Sequence, residues 1–497
     1  MAIDWIILLI MALFTYVIVR RSVAGITTTP VWLLWLVLML PPVAWSIWSV
    51  VHGTEQIPPI ELVLGMTVLS VFLYWKLHQR GRKNLTPEAQ DRPSQAAKAP
   101  TPATEVPQPP ATLRPIDKDE ETKLRNCFPW SVFYVNNIEY RPQAIICRGQ
   151  LREKSSTQAY DRIKENVQAQ FGDRFVVLFQ EDLTGKPFFA LVPNPQNAAN
   201  RRNNTKLTRP VLALGLLIAT LYTTTLVGVG IANPSNVAAL RSDPTVLLRG
   251  LPYGIALMTI LGIHELGHYI AARYYKIKAT LPYFIPFPLF LGTFGAFIQM
   301  RSPVPNRKAL FDVSIAGPLA GFVVTIPILI WGLANSRVVP LPENPQEILN
   351  PNALSPNYSL LLALLSKLTL GAQLTADSAL DLHPVAVAGL LGLIATALNL
   401  MPVGQLDGGH IVHSMFGQRN GIAIGQISRF LLLGLSLLQP GFWVWAIILF
   451  FMPASDEPAL NDISELDNKR DMLGLLALAL LVIIILPMPS AIAQLLN

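Results

Sequence analysis

Leu261-Gly262-Ile263-His264-Glu265-Leu266-Gly267-His268-Tyr269-Ile270 is the stretch from which the rest of the chain is read. On a helix, residues four apart share a face, so His264 and His268 grip one point while Glu265 sits beside it. Two imidazoles hold a metal ion with coordination positions left open, and an adjacent carboxylate accepts the proton of a water bound there. The flanks are apolar: Tyr253 to Ile263 almost wholly so, and Tyr269 to Ala272 until Arg273 interrupts. A charged group at the centre of a membrane span costs about 2.5–3.5 kcal/mol on insertion scales, so three ionisable residues there point to function. In a soluble helix the same pattern often arises by chance, and the apolar setting is what gives it weight.

Composition agrees with that setting. The chain has 497 residues, 52% hydrophobic and only 14% charged, the balance of a polytopic membrane protein. Its net charge of +7 comes from Lys and Arg at the ends of apolar runs, as the positive-inside rule expects, so nucleic acid is not indicated as a partner. Only Cys127 and Cys147 occur, which indicates neither a disulfide framework nor a cysteine zinc site. A metal here is held by His, Asp or Glu.

Working outward, Ile3–Val19, Trp32–Val51 and Ile60–Trp75 read as three spans of an N-terminal membrane module, residues 1–83, with basic cytoplasmic flanks and no ionisable residue at their centres. Residues 84–116 are a Pro-, Ala-, Gln- and Thr-rich linker. Residues 117–200 read as a small cytoplasmic α+β domain, with strands at Ala144–Cys147, Arg174–Gln180 and Pro187–Val192 and a helix at Thr157–Phe171. Asp173, Glu181 and Asp182 there are solvated turn carboxylates. Residues 205–497 form the domain around the metal motif, in which Pro210–Ala232 and Leu251–Tyr275 are spans.

Leu281–Met300 is apolar but carries Pro282, Pro286, Pro288, Gly292 and Gly295, which a regular spanning helix would not. A re-entrant or membrane-surface hairpin fits, and its strand edge can pair with an extended peptide. Val313–Trp331 is the next span, its string Ala316-Gly317-Pro318-Leu319-Ala320-Gly321 permitting close helix approach. Asn335–Leu382 is a connection on the far side, with an amphipathic helix at Ser359–Leu370.

Val385–Leu398 then runs into Asn399-Leu400-Met401-Pro402-Val403-Gly404-Gln405-Leu406-Asp407-Gly408-Gly409, where Pro402 and the glycines should break the helix. Taken alone, Asp407 reads equally as a helix cap. Coupled to the histidine pair, it reads as the third ligand, swung into the bundle by the break. Asn399 and Gln405 then supply hydrogen bonds to an extended substrate or its oxyanion. His410 and His413 are the weaker candidates for the third position. Ile424–Leu438, Phe442–Met452 and Leu473–Met488 complete about ten spans, with an acidic cytoplasmic loop at Asp456–Asp471.

His-Glu-Leu-Gly-His at 264–268, Ala-Gly-Pro at 316–318 and the Asn399–Gly409 string together resemble the site-2 protease family of intramembrane zinc metalloproteases. The N-terminal spans and Arg148-Gly149-Gln150-Leu151-Arg152 resemble the chloroplast and cyanobacterial subgroup of ethylene-dependent gravitropism-deficient and yellow-green proteins, which has Asn where Gln150 stands. The resemblance implies one Zn²⁺ on His264, His268 and Asp407, Glu265 as general base and substrate contact near Asn399. It also likens the Gly292–Gln299 hairpin, with Gly292 and Gly295, to the segment that accepts the substrate.

The expectation is an all-α polytopic membrane protein with a re-entrant hairpin and a soluble α+β domain, in a plasma or thylakoid membrane. It acts as an endopeptidase on a transmembrane segment of another membrane protein, with the active site nearer the cytoplasmic face. A divalent-metal transporter would spread its ligands along a path and has no use for Glu265; a silent scaffold has no use for the intact set.

Overall fold

The computed structural model describes residues 12, 15–16, 19–20, 29–52, 65–66, 69–70, 72–74, 76–77, 116–141, 144–182, 184–194, 209–233, 240, 243–287, 291–340, 354–375, 378–438 and 442–488. It divides into two units, Met1–Pro107 and Gln108–Asn497. In the first, the stretch expected as one span, Trp32–Val51, is two helices, α1 (Val31–Leu38) and α2 (Leu40–His52). They meet at Met39, just ahead of Pro41 and Pro42, which bring no backbone donor. Most of the expected spans Ile3–Val19 and Ile60–Trp75 and nearly all of the 84–116 linker lie outside the described residues.

The second unit begins with an α+β module: α3 (Lys118–Asn126), β1 (Phe133–Arg141), β2 (Ala144–Leu151), α4 (Ser156–Phe171), β3 (Phe175–Glu181) and β4 (Pro187–Pro193). The strands form one antiparallel sheet in the order β1-β2-β4-β3. Ser155 caps α4 by accepting from the Gln158 N–H, and Ala159, Tyr160, Ile163 and Val167 form its buried stripe. That stripe packs with Phe133, Phe179 and Phe189, the last two stacked with ring centroids 4.0 Å apart. Two elements had no sequence signal. Helix α3 contributes a single buried leucine, Leu124, and β1 is interrupted by a bulge between Val135 and Asn137. The bulge brings β1 so close to Gly149 that a Cβ there would lie 2.1 Å from the Tyr134 carbonyl oxygen, so only glycine fits in this motif.

The remainder is a helical bundle with two short hairpins: α5 (Pro210–Ala232), α6 (Leu251–Tyr274), β5 (Tyr283–Pro286), β6 (Thr293–Phe297), α7 (Arg307–Ala334), β7 (Arg337–Pro340), α8 (Leu360–Leu370), β8 (Ser378–Asp381), α9 (Pro384–Leu400), α10 (Asp407–Leu438), α11 (Trp443–Phe451) and α12 (Asn468–Ile485). Among the described residues, four helices are long and apolar enough to cross a membrane: Pro210–Ala232, Pro244–Tyr274, Arg307–Ala334 and Asp407–Leu437. They mark this as a membrane protein. Of the other expected spans, α9 has 17 residues, α11 nine and α12 18. The far-side connection 335–382 is tied by the antiparallel pair β7–β8.

Apolar helices accommodate their few hydroxyls internally. Thr220, Thr224 and Thr225 of α5 are buried, and each donates to the carbonyl four residues back at 2.6–2.8 Å. This same face receives α6 and the hairpin: a Cβ on Gly254 would meet the Thr225 hydroxyl at 2.8 Å, and one on Gly292 the Thr224 Cα at 2.4 Å. Thr223 donates to the Gly292 carbonyl and Tyr253 to that of Leu291, which pins the β5–β6 turn to α5 and α6.

Candidate metal centre

Helix α6 carries His264 and His268 one turn apart, their Nε2 atoms 3.2 Å from each other and both rings buried. The third donor comes from the far side of the helix break. Helix α9 ends at Leu400, the chain turns through Gly404 at φ +51, and α10 begins at Asp407. Glycine is required at each corner of this turn: a Cβ on Gly404 would lie 2.1 Å from the Pro453 carbonyl oxygen, and one on Gly408 2.0 Å from that of Leu400. As the first residue of α10, Asp407 has its carboxylate at the positive end of the helix dipole. Its Oδ2 lies 3.6 Å from His264 Nε2 and 3.3 Å from His268 Nε2.

These distances test the site against zinc. Ligands about 2.0–2.1 Å from a common centre at tetrahedral angles are about 3.3–3.4 Å from one another, which the triangle of 3.2, 3.3 and 3.6 Å approaches. The donor set, two imidazoles and a carboxylate, is also one that zinc takes. His268 Nδ1 donates to the Val313 carbonyl at 2.7 Å, which fixes the tautomer whose Nε2 bears the lone pair. The residues present fit the ion.

Helix α7 makes room for the rings. A Cβ on Gly317 would stand 2.1 Å from His268 Nε2, and one on Gly321 3.1 Å from His264. Conversely, a Cβ on Gly267 would meet the Ala316 carbonyl oxygen at 2.5 Å. Pro318, inside α7, removes the donor to the Ser314 carbonyl and opens the ladder beside Val313, where His268 docks.

The donors open into a cavity of about 280 Å³ lined by Glu265, Asn399, Gln405, His410 and residues 296–298 of the hairpin, among others. Glu265 is buried, with the Ile298 backbone N–H beside its carboxylate. The Asn399 amide nitrogen lies 3.2 Å from His264 Nε2. The structure thus brings His264, Glu265, His268, Asn399, Gln405 and Asp407 together, whereas Gly292, at the hairpin turn, and Gly295, within β6, lie outside the cavity lining.

His410, the weaker candidate for the third ligand position, lines this cavity, and its Nδ1 is 2.8 Å from Asp456 Oδ2. His413 is bound on both sides, Nδ1 to Asp456 at 2.6 Å and Nε2 to Asp462 at 2.9 Å. Their spacing at i and i+3 placed both on one face of α10. The acidic stretch 456–462 was the partner the spacing did not reveal.

Residues 253–435 match the family model for Peptidase family M50, and residues 122–199 that for the EGY3 middle domain. The chain is 36% identical over 246 residues to the probable zinc metalloprotease EGY1, chloroplastic, of Arabidopsis thaliana, covering 49% of this chain and 44% of that one. It is 30% identical over 374 residues to the probable zinc metalloprotease EGY2, chloroplastic, of the same plant, covering 73% and 64%. It is 26% identical over 387 residues to the probable zinc metallopeptidase EGY3, chloroplastic, covering 72% and 65%. The chain therefore spans from under half to about two thirds of the length of these relatives. No solved structure matches it. With His264, His268 and Asp407 converging inside residues 253–435 and the middle-domain match ahead of them, the chain carries a Peptidase M50 domain and is similar along most of its length to the EGY zinc metalloproteases.

Proposed function

We propose that the chain is an intramembrane zinc endopeptidase that hydrolyses a peptide bond within or near a transmembrane segment of another membrane protein, in regulated intramembrane proteolysis. One observation carries the reading: two imidazoles, a carboxylate and a separate buried glutamate share one cavity between apolar helices. A zinc ion held by His264, His268 and Asp407 supplies Lewis-acid polarisation of the scissile carbonyl and activation of a water. Glu265 takes the proton of the attacking water and hands it to the leaving amide nitrogen. Asn399, beside His264, and Gln405 donate to the carbonyl oxygen as it becomes negative.

A membrane helix offers no free carbonyl, because its backbone is bonded internally. Strand β6 leads straight to Ile298 at Glu265, so an extended segment that pairs along β6 has its backbone led to the base. In this reading the β5–β6 hairpin is re-entrant and about ten spans cross the bilayer. The basic clusters at the ends of apolar runs support a cytoplasmic-side position for the 117–200 module and the nearer end of the site. The chloroplastic names of the relatives favour a thylakoid or envelope membrane.

The test is cleavage of a tagged single-span reporter by the purified, reconstituted chain, compared with Glu265→Gln. Wild type with bound zinc should produce fragments ending inside the span, and Glu265→Gln should bind zinc but yield none. Equal cleavage by both would remove Glu265 from the chemistry, and a wild-type chain without zinc would remove the metal site.

A further inference from the structure

We infer that His410 is a further substrate-contacting residue of this cavity, a hydrogen-bond donor to the scissile carbonyl that Asp456 holds in place. The inference rests on the protease reading above. His410 lies three residues after Asp407 on α10 and lines the same cavity as Glu265 and the ligand triad. Its Nδ1 meets Asp456 Oδ2 at 2.8 Å, and a carboxylate only accepts, so Nδ1 carries hydrogen and the ring nitrogen left for a substrate is Nε2. A ring with hydrogen on both nitrogens is a donor at each, and the Asp456 carboxylate on Nδ1 offsets its charge. The Nε2–H of that imidazolium donates to the carbonyl oxygen as negative charge develops there, and no bond to His410 forms or breaks.

Asp456 is itself fixed. His413 donates to it through Nδ1, at 2.6 and 2.7 Å from its two oxygens, and to Asp462 through Nε2 at 2.9 Å. Asp462 is anchored in turn by its backbone N–H, which donates to the Phe179 carbonyl of β3 at 2.9 Å. A latch between α10 and the 456–462 segment is complete with His413 alone, whose side chain is 2% exposed. His410 adds one further hydrogen bond to the same Asp456 carboxylate. The His410 side chain is 16% exposed and lines the cavity, so the buried carboxylate that holds its Nδ1 also fixes where its Nε2 stands.

Two shortened side chains separate a contact with substrate from a structural contact. His410→Asn keeps an amide N–H for Asp456 but has no atom at the place of Nε2; His410→Gln carries its donor there. In the reconstituted full-length chain cutting the tagged reporter, His410→Asn should retain zinc and a KM within about twofold while kcat falls about 10²-fold. His410→Gln should recover at least about tenfold of that loss. A peptide phosphinate, a tetrahedral anionic mimic, should bind His410→Asn more weakly by the same factor. The inference is overturned if His410→Asn turns over like wild type, if His410→Gln is the more damaged of the two, or if activity is lost together with zinc. Should the parent chain neither hold zinc nor cut the reporter, the protease reading fails first and this inference with it.

Discussion

Gly317 shows how far the site depends on an atom that is missing. Its hydrogen faces His268 Nε2, where a methyl carbon would stand at 2.1 Å, inside any contact distance. Gly317→Ala is therefore expected to push the imidazole off the triad and weaken zinc binding by at least about tenfold, the range seen when a ligand's surroundings are altered. The bundle should remain folded, because the neighbouring Ala316 and Ala320 show that α7 tolerates methyl groups on adjacent faces. Zinc competition with a chelator, beside thermal unfolding of the apo chain, measures the two effects separately. A second residue tells on the module. The Thr184 hydroxyl, the Lys186 and Thr184 N–H groups and the Arg148 guanidinium all favour ionised Asp182, lowering its carboxyl from 3.8 to about 2. A depressed carboxylate stabilises the fold fully above its unfolded pKa and loses that contribution as pH falls from about 4 towards 2. Asp182→Asn should flatten the acid dependence of module stability in that window, read by amide exchange in β4. The histidine pair and the glutamate were legible from spacing, and Asp407 from the helix break. His410 was not, since Asp456 lies 46 positions away and no local pattern joins them.

Among the elements, helices with strong apolar runs were legible almost to the residue: α5 occupies Pro210–Ala232 as expected, and α6 ends at Tyr274. What escaped was held by a polar cap or by partners distant in sequence. Helix α7 starts at Arg307, six residues before its expected apolar start, because Asn306 caps it by accepting from the Ala309 N–H. The polar strands β1 and β7 exist through their partners rather than through alternation of their own. The β5–β6 hairpin was foreseen from its prolines and glycines, but the contact that locks it was not. Gly292 combines φ +83 with Thr224 Cα 2.4 Å from where a Cβ would be. Gly292→Ala adds strain of about 1–3 kcal/mol and detaches the turn from α5. Turnover of a membrane-span reporter should then fall more than about tenfold, while a short unstructured peptide, which needs no unwinding, is cut at close to the parent rate. Equal loss on both would show that the hairpin supports the cavity and does not select helical substrates.

Among the described residues of the second unit, one short segment hydrogen-bonds to both the module and the bundle. Leu460 and Ile463 pack against the aromatic core of the module, and the Phe179 N–H donates to the Leu460 carbonyl at 2.7 Å while the Asp462 N–H donates back to Phe179. On its other side the segment takes hydrogen bonds from Leu460 and Asn461 N–H to the carbonyls of Val304 and Pro305, at the start of α7. Asn461 thus makes isolated β-bridges to Phe179 at the sheet edge of the module and to Asn306 just ahead of α7, so residues 460–462 are a short bridging strip between module and bundle, and Asp462 carries that join to His413. Sequence composition marked residues 117–200 off from the bundle and gave no reason for the two to share backbone hydrogen bonds, because a loop rich in carboxylates reads as solvated. If the join is one cooperative unit, its amides open together. Leu460→Asp places a charge against Phe179 and Phe189 and should release the strip as a block, so that the amides of Phe179, Leu460, Asn461 and Asp462 all exchange faster by about 10²-fold or more, equivalent to about 3 kcal/mol. Because Asp456 and Asp462 then lose their common anchor, kcat should fall in the same variant with zinc retained. Faster exchange at Phe179 alone, with the 460–462 amides still protected, would mean that module and bundle are independently held and that the strip belongs to the bundle.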